Sequence, residues 1–299
     1  MILLMVLVVV LILGLCFGSF VNALVWRLHQ QETFREEIDV LMIKKNSPAT
    51  TVKITKLKQQ ISDRSISTGR SMCTDCEHTL AWYDLLPLIS WLSVGGKCRY
   101  CRKPISRQYP IVELLTTALF IASYSFWPKG FTTVGTFDFS IWIVALTVFM
   151  ALAVYDFRWM ILPNRLVYPL IGIAAFQRLA ESFVFHAGVQ ALVNSLIASL
   201  IGGGIFYILY QISNGNWIGG GDVKLGYALG FFVGTPLQAI LLLMLASAVG
   251  ILAALPTVLT GRFKRNLQIP FGPCLLIACV ILVLFGKSVV NWYTNLLVS

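Results

Sequence analysis

Several continuous apolar runs, each near the length that a helix needs to cross a bilayer, limit what this chain can fold into. Of its 299 residues, 57% are hydrophobic and only 12% are charged. A membrane helix needs roughly 20 apolar residues, whereas transmembrane barrels show alternation. The sequence therefore predicts an all-α polytopic membrane protein. The first run, 1–23, has no basic start and no convincing small-residue cleavage site, so we expect a retained helix rather than a secretory signal.

Eight membrane helices are expected, with the N-terminus outside. Their predicted limits are 2–25, 110–127, 139–157, 162–181, 189–212, 223–234, 237–259 and 272–292. Cytoplasmic loops carry an excess of lysine and arginine. In this orientation all but three of the 23 such residues lie at or near cytoplasmic loops, the exceptions being Lys129, Arg178 and Lys287. The net charge of +10 is then explained by loops that face anionic lipid, without nucleic acid as a partner.

The stretch 27–109 is the one loop large enough to form a small cytoplasmic domain. It separates a first helix, 1–26, from a seven-helix membrane core, 110–299. Its early part, 31–67, is basic and polar. The sequence Val52–Lys58 alternates as a strand does, and Asn46-Ser47-Pro48 before it would allow a short hairpin. A flexible basic arm on the membrane surface is the equal alternative.

Four of the seven cysteines form two Cys-x2-Cys pairs, Cys73 with Cys76 and Cys98 with Cys101. Each pair places two thiolates on one knuckle, and two knuckles complete a tetrahedral zinc site. Two disulfides or four free thiols are the alternatives, and a loop in the reducing cytoplasm disfavours disulfides. Because four thiolates leave no ligand position open, we expect a structural metal, and His78 is surplus to it.

Two aspartates lie at the ends of predicted helices on the cytoplasmic side. Asp156 ends the third helix, and Asp222 opens the sixth directly after Gly219–Gly221. A carboxylate in a membrane helix is costly and indicates a functional site. The structural alternatives are a helix N-cap for Asp222 and an ion pair with Arg158 or Arg165 for Asp156.

Two carboxylates at one membrane edge suit acid–base hydrolysis, in which one takes a proton from water and the other polarises the scissile carbonyl. Because helix N-termini favour anions and C-termini disfavour them, we expect Asp222 as the resting base and Asp156 as the resting acid. The glycines are expected to keep the helix start open, so that a substrate backbone can approach Asp222. Lys224 either assists Asp222 through an irregular helix start or anchors the helix at the interface.

Short motifs occur in order from one end of the chain to the other. They are Gly18-Ser19-Phe20-Val21-Asn22 with Trp26-Arg27-Leu28, the cysteine pairs, Asp84–Leu92, Ile105–Pro110 with Glu113, Asp156 followed by Leu162-Pro163-Asn164, Gly219–Leu225 and Pro270–Pro273. In order and spacing they resemble the bacterial type IV prepilin peptidases, membrane aspartic proteases of the GxGD class. The resemblance implies that Asp156 and Asp222 are the catalytic pair, and we expect Gly219, Gly221 and Lys224 to support them.

The resemblance also implies a substrate and a second activity. The substrates would be prepilins and pseudopilins, cut after the glycine of a short basic leader at the cytoplasmic face of the bacterial inner membrane. Many family members then methylate the new N-terminal amine with S-adenosylmethionine, and the intact cysteine pairs fit such a bifunctional member. Glu113 is a candidate methyl-donor contact, and the alternative is an interfacial residue paired with an arginine. The stretch 31–67 is longer than the family's usual link.

Two other functions stay open at this point. A peptidase without methylation is poorly separated from the bifunctional enzyme by sequence. A transporter or channel with cation-binding carboxylates belongs to a different class. Transporters often contain internal repeats and broken helices near the midplane. This chain has no convincing repeat, and both aspartates lie at the membrane edge, so the peptidase is favoured.

Overall fold

A computed structural model describes residues 2–43, 48–66, 68–259 and 270–298. Its α-helices are α1 (Ile2–Ile43), α2 (Pro48–Asp63), α3 (Ile89–Ser93), α4 (Gln108–Ser125), α5 (Thr133–Trp159), α6 (Asn164–Phe183), α7 (Val189–Ser213), α8 (Gly220–Val233), α9 (Pro236–Leu259) and α10 (Gly272–Val298), with a 3-10 turn at Trp82–Leu85. In these ranges the extended structure is limited to isolated bridges, Met72 with Thr79 and Lys97 with Pro104. The predicted all-helical class is confirmed.

Five of the described helices, α1, α5, α7, α9 and α10, are long and apolar enough to cross a membrane. The chain is therefore a multi-pass membrane protein, and the count of eight spans stays a prediction. The shortest predicted span, α8, has 14 residues. At 1.5 Å per residue it measures about 21 Å, less than the roughly 30 Å of a hydrocarbon core.

The chain divides into two compact units, Met1–Ile121 and Ala122–Ser299. In the first, α1 and α4 run antiparallel in close contact. A Cβ at Gly14 would lie 2.6 Å from Cα of Thr117, and one at Gly18 would lie 2.6 Å from Cα of Glu113. Such small-residue contacts let membrane helices approach closely.

The stretch 31–67 is mostly helical where it is described, and 64–66 form a turn after α2. α1 continues to Ile43, and Val52–Lys58 lies inside α2, so the predicted strand is wrong. The apolar residues Ile54, Leu57 and Ile61 recur at helical spacing, and Leu57 is buried. The expected turn at Asn46-Ser47 falls outside the described residues.

Contacts with α1 also rule out a free arm. Gln31 Nε2 donates to the carbonyl of Arg64 at 2.7 Å, and the Arg27 guanidinium donates to the carbonyls of Ile66 and Gly69 at 3.0 and 2.8 Å. The Arg64 guanidinium lies 5.0 Å from the ring centre of Phe34, a cation–π contact. The segment that follows α2 is therefore held along α1.

The second unit is built on close packing of α7 against α8. A Cβ at Gly202 would lie 2.7 Å from the carbonyl oxygen of Gly226, and one at Gly230 would lie 2.5 Å from Cα of Ser199. The hydroxyl of Ser199 donates to the carbonyl of Tyr227 at 2.9 Å. Small residues facing each other let α8, whose first turn carries Asp222, pack tightly on its neighbour.

An ion network joins α5 and α6 at the ends away from Asp156 and Asn164. Lys129 Nζ lies 2.6 Å from carboxylate oxygens of both Asp138 and Glu181, and Arg178 lies 2.6 Å from Glu181. Asp138 is fully buried. A buried carboxylate is tolerated only when it is paired, so these basic residues balance acidic side chains.

Candidate active site

Asp156 lies three residues before the end of α5 and is buried. Its Oδ2 accepts a hydrogen bond of 3.1 Å from the backbone N–H of Gly272, the first residue of α10. A Cβ at Gly272 would lie 2.7 Å from that same oxygen. Glycine is therefore the residue that lets the start of α10 come within bonding distance of the carboxylate.

Asp222 is the third residue of α8, whose N-cap is Gly219. Its own backbone N–H donates to the Gly219 carbonyl at 3.1 Å, so Asp222 lies within the first turn and Gly219 is the capping residue. The alternative that Asp222 is itself the N-cap is thus wrong.

The glycines before Asp222 do not keep the helix start open as expected. Gly220 and Gly221 are helical, and none of Gly219–Gly221 has a positive φ. Gly221 instead lets Leu162 pack closely against the start of α8, since a Cβ at Gly221 would lie 2.9 Å from Cβ of Leu162. Gly219 is exposed, and a Cβ on it would lie 3.3 Å from Oδ2 of Asp222.

Leu162, in the loop between α5 and α6, lies between the two aspartate-bearing helix ends. It touches Gly221 on one side, and its Cδ2 would be 3.4 Å from a Cβ at Gly272 on the other. Gly272 in turn donates to Asp156, and Gly221 directly precedes Asp222. The second unit therefore brings the two predicted aspartates to one place, where the starts of α8 and α10 meet the end of α5.

The helix ends around the pair favour negative charge more than the sequence indicated. The expected base and acid followed from Asp222 at a helix N-terminus and Asp156 at a helix C-terminus. The start of α10 also points an N–H at Asp156, and helix N-termini stabilise anions. Both carboxylates thus have an anion-stabilising partner, and the assignment of base and acid stays a prediction.

Lys224 forms its hydrogen bond away from Asp222. Its Nζ donates to Oδ1 of Asn164, the first residue of α6, at 2.8 Å, and lies 5.2 Å from the ring centre of Tyr168. Lys224 therefore fastens the start of α8 to the start of α6, beside the loop that carries Leu162.

The four predicted metal ligands come together in the first unit. The sulfurs of Cys73, Cys76, Cys98 and Cys101 all lie within 4.8 Å of one another, and none is in a disulfide. The Cys73 and Cys101 sulfurs are 3.9 Å apart. Four zinc–sulfur bonds of about 2.3 Å in a tetrahedron would place sulfurs about 3.8 Å apart. The cluster is thus of a size to hold a metal ion.

The two cysteine pairs have the same backbone geometry. The N–H of Cys73 donates to the carbonyl of His78 at 2.9 Å, and the N–H of Cys98 donates to that of Lys103 at 2.8 Å. Glu77 and Arg102, each directly after the second cysteine of its pair, have φ of 56° and 60°. These are two equivalent knuckles, and His78 serves one of them through its carbonyl.

Backbone N–H groups within the knuckles favour the thiolate form that metals bind. A hydrogen bond from the N–H of Cys101 is the main cause that lowers the pKa of Cys98 to about 7, against the opposing effect of burial. Burial raises the pKa of Cys73. A backbone hydrogen bond from Lys103 lowers the pKa of Cys101, but burial and the neighbouring thiols together raise it to about 11. Metal binding displaces the protons of such thiols.

Glu113 is buried and holds a turn instead of an arginine. Its Oε2 accepts a 2.8 Å hydrogen bond from the N–H of Leu88. Leu88 has a φ of 58°, a conformation that is rare for a branched side chain. The arginine-paired alternative is wrong, and Glu113 fixes a strained turn.

Two family models match this chain, one mainly over the first compact unit and one within the second. The bacterial peptidase A24 N-terminal domain matches residues 12–127, and the type IV leader peptidase family matches residues 143–255. A prepilin leader peptidase/N-methyltransferase of Aeromonas hydrophila is 34% identical over 76% of this chain and 76% of its own length. The chain belongs to the type IV leader peptidase family.

Other relatives of this leader peptidase family member agree. A Bacillus subtilis protein described as a prepilin leader peptidase/N-methyltransferase is 30% identical over 78% of this chain and 88% of its own length. An Escherichia coli type 4 prepilin-like proteins leader peptide-processing enzyme is 31% identical over 88% of this chain and 87% of its own length. No solved structure matches the chain. The resemblance seen in the motifs is confirmed.

Two residues of the aspartate site in this leader peptidase had no role assigned from sequence. Gly272 donates to Asp156, and Leu162 spaces the helix starts. Both lie in short proline-containing motifs, Leu162-Pro163-Asn164 and Pro270-Phe271-Gly272-Pro273, directly before helices. A glycine between prolines at the start of an apolar run was the available signal.

Proposed function

We propose that this chain cuts the basic leader from type IV prepilins and pseudopilins, with Asp156 and Asp222 as the catalytic pair. The observation that carries the proposal is the meeting of the two carboxylates at the starts of α8 and α10. A carboxylate pair in a membrane helix bundle has few uses besides proton and ion chemistry. The family of the chain supports proteolysis over ion transport.

The two carboxylates divide the work of hydrolysis. The ionised one takes a proton from water, whose oxygen attacks the scissile carbonyl carbon, while the protonated one gives its proton to the carbonyl oxygen. On collapse of the tetrahedral intermediate, the carboxyl that took the proton from water gives it to the departing amine. The other carboxylate recovers a proton from a hydroxyl of the intermediate, and the peptide bond breaks. Close carboxylates share one proton because two negative charges repel. The Gly272 backbone N–H holds the Asp156 side chain, and Gly221 and Lys224 hold the start of α8, which carries Asp222.

We also propose that the chain methylates the new N-terminal amine of the mature pilin, with S-adenosylmethionine as methyl donor. The donor supplies an electrophilic methyl group to the uncharged amine. The paired names of the relatives, peptidase and N-methyltransferase, support this activity. A peptidase without methylation is the remaining alternative. Glu113, the candidate methyl-donor contact, would contribute to methylation by holding the turn at Leu88 in place.

The cysteine cluster is proposed to hold a structural zinc ion. Cys73, Cys76, Cys98 and Cys101 supply four thiolates, a set that zinc favours and that leaves no position for substrate. The equivalent backbone geometry of the two knuckles supports a zinc site, as does the absence of disulfides among these four cysteines.

The topology proposed from the charge distribution has eight spans and an external N-terminus in the bacterial inner membrane. The first helix is 1–26, the cytoplasmic domain 27–109 and the membrane core 110–299. The catalytic pair then faces the cytoplasm, where the basic leader of a prepilin lies.

The test is a reconstituted assay in liposomes with a prepilin and a labelled methyl donor. Asp156→Asn and Asp222→Asn are compared with wild type and with Asp63→Asn, an exposed aspartate of α2. We expect both active-site variants to lose leader cleavage while the control cleaves normally. Near-normal cleavage by either would falsify the mechanism. A precleaved pilin given to the same variants reports methylation independently, and wild-type protein that fails to methylate it leaves a peptidase alone.

A further inference from the structure

The segment between the two cysteine pairs carries an exposed apolar surface. Trp82, Ile89 and Leu92 are 75%, 64% and 68% exposed. Leu85 and Leu86 are also exposed. Apolar residues clustered in this way indicate an interaction surface.

This segment is almost free of charge. From Leu80 to Gly96 the one charged residue is Asp84. Its carboxylate is paired with the Arg99 guanidinium at 3.0 Å and accepts from the Tyr100 hydroxyl at 3.1 Å. The partners come from the second knuckle, so the segment itself presents no unpaired charge to its surroundings.

The contacts between α1 and α4 indicate how deep in the membrane the segment between the two cysteine pairs lies. Tyr109 accepts a hydrogen bond from Asn22 at 3.1 Å, and Glu113 packs on Gly18. Trp26 marks the predicted interface on α1. At 1.5 Å per residue, Asn22 lies about 6 Å and Gly18 about 12 Å inside it.

The turn at Leu88 is hydrogen-bonded to Glu113, which lies at this depth. Its N–H donates to Glu113 at 2.8 Å, and a helical side chain leans toward its own N-terminus. Leu88 therefore lies between the levels of Asn22 and Gly18. Ile111 and Leu114, which flank Glu113 on α4, are 51% and 53% exposed, so exposed apolar residues also occur on α4, a predicted membrane helix.

We propose that the segment Trp82–Ser93 is inserted into the cytoplasmic leaflet, where its apolar side chains contact lipid acyl chains. The knuckles then lie at the headgroups, and the exposed Lys97 and Arg102 face anionic lipid. The Glu113 carboxylate is the anchor that holds the inserted turn. The loop expected wholly in the cytoplasm dips into the membrane between its two metal knuckles.

Site-directed spin labelling of the full chain in nanodiscs of phosphatidylethanolamine and phosphatidylglycerol tests this. A spin-labelled amino acid replaces Ile89 or Leu92, with Thr74, exposed between two cysteines, as the aqueous control and Leu114 as the lipid-facing control. Depth is read from collisions with oxygen and with a water-soluble nickel complex. We expect immersion of about 6 to 12 Å at Ile89 and Leu92, from the helical rise of α1, and none at Thr74.

A second measurement avoids bulky labels. The fluorescence of Trp82 is obtained by subtracting the emission of the Trp82→Phe variant from that of wild type. We expect lipids that carry bromine on their acyl chains to quench most of this fluorescence. Nickel accessibility at Ile89 equal to that at Thr74, or unquenched Trp82 emission, overturns the proposal. Protection that arises only when prepilin is added also overturns it, and assigns the surface to substrate.

Discussion

Oδ2 of Asp156 accepts a 3.1 Å hydrogen bond from the backbone N–H of Gly272, which opens a helix 116 residues further along the chain. The bond depends on the missing side chain, since a Cβ at Gly272 would lie 2.7 Å from the same oxygen. The start of α10 thus serves as a fixed partner for Asp156, one of the two proposed catalytic carboxylates. The geometry of the pair is then set by the meeting of three helix ends around Leu162.

Gly272→Ala is expected to reduce leader cleavage strongly. The added methyl group displaces the Asp156 carboxylate, and a displacement of about 1 Å can cost on the order of a hundredfold in rate. The matched control is Gly172→Ala in α6, where a Cβ would meet nothing within 4 Å. Steady-state cleavage of a prepilin measures both. Equal kcat/KM for the two variants would show that Gly272 does not position Asp156.

The sequence was sufficient to single out the candidate residues and insufficient for their geometry. Asp156 and Asp222 stood out because carboxylates are costly in apolar helices, and Cys73 to Cys101 because paired thiols have few uses. The role of Gly272 depends on a contact over a hundred residues away, which no local pattern contains. Spacing likewise could not show that Gly221 serves contact with Leu162.

The stretch 31–67 shows where local pattern misled. Alternation over Val52–Lys58 was too short to separate a strand from a helix, and tertiary contacts decided it. Leu57 is buried inside α2, and Arg27 and Gln31 cap the segment that follows. The basic composition was compatible with a flexible arm, but the side chains of Arg27 and Gln31 on α1 donate hydrogen bonds to backbone carbonyls of this stretch.

Lys224 and Asn164 are expected to act as one unit. Lys224→Ala and Asn164→Ala each remove the same 2.8 Å hydrogen bond, so their effects on kcat/KM should not add. Hydrogen bonds to charged groups contribute about 1.5–3 kcal/mol at most, and partial exposure lowers this, so we expect a coupling of about 1 kcal/mol. A double-mutant cycle on leader cleavage measures it. Additive effects would mean that Lys224 acts on Asp222 or substrate instead.

The knuckle cysteines are expected to control metal content, and the other cysteines are not. Cys98→Ser removes one thiolate and the hydrogen bonds that favour it, so bound zinc should fall to near zero because three ligands hold a structural ion poorly. Cys279→Ser is the control, since Cys279 is fully buried in α10. Metal analysis of protein purified from membranes reports both. Full zinc occupancy in Cys98→Ser would remove these four thiols as the ligand set.

Arg178 is expected to hold the far end of α8, and thereby the position of Asp222 at its start. The guanidinium donates to the carbonyls of Phe231 and Phe232 at 2.7 and 2.6 Å and pairs with Glu181. Arg178→Gln leaves a buried carboxylate with fewer partners, which costs about 3–5 kcal/mol when a pair is fully broken. Lys129 still contacts Glu181, so we expect about 2–3 kcal/mol and a lower midpoint of thermal unfolding in detergent.

The exposed Lys287, in α10, supplies the control variant Lys287→Gln, whose midpoint should match wild type. Leader cleavage below the unfolding range adds a second readout. If Arg178 only stabilises the fold, kcat at low temperature will be unchanged. If it also sets the position of α8, kcat falls while KM for the prepilin stays near wild type, because Asp222 shifts along its own helix axis. A wild-type midpoint for Arg178→Gln would contradict both roles.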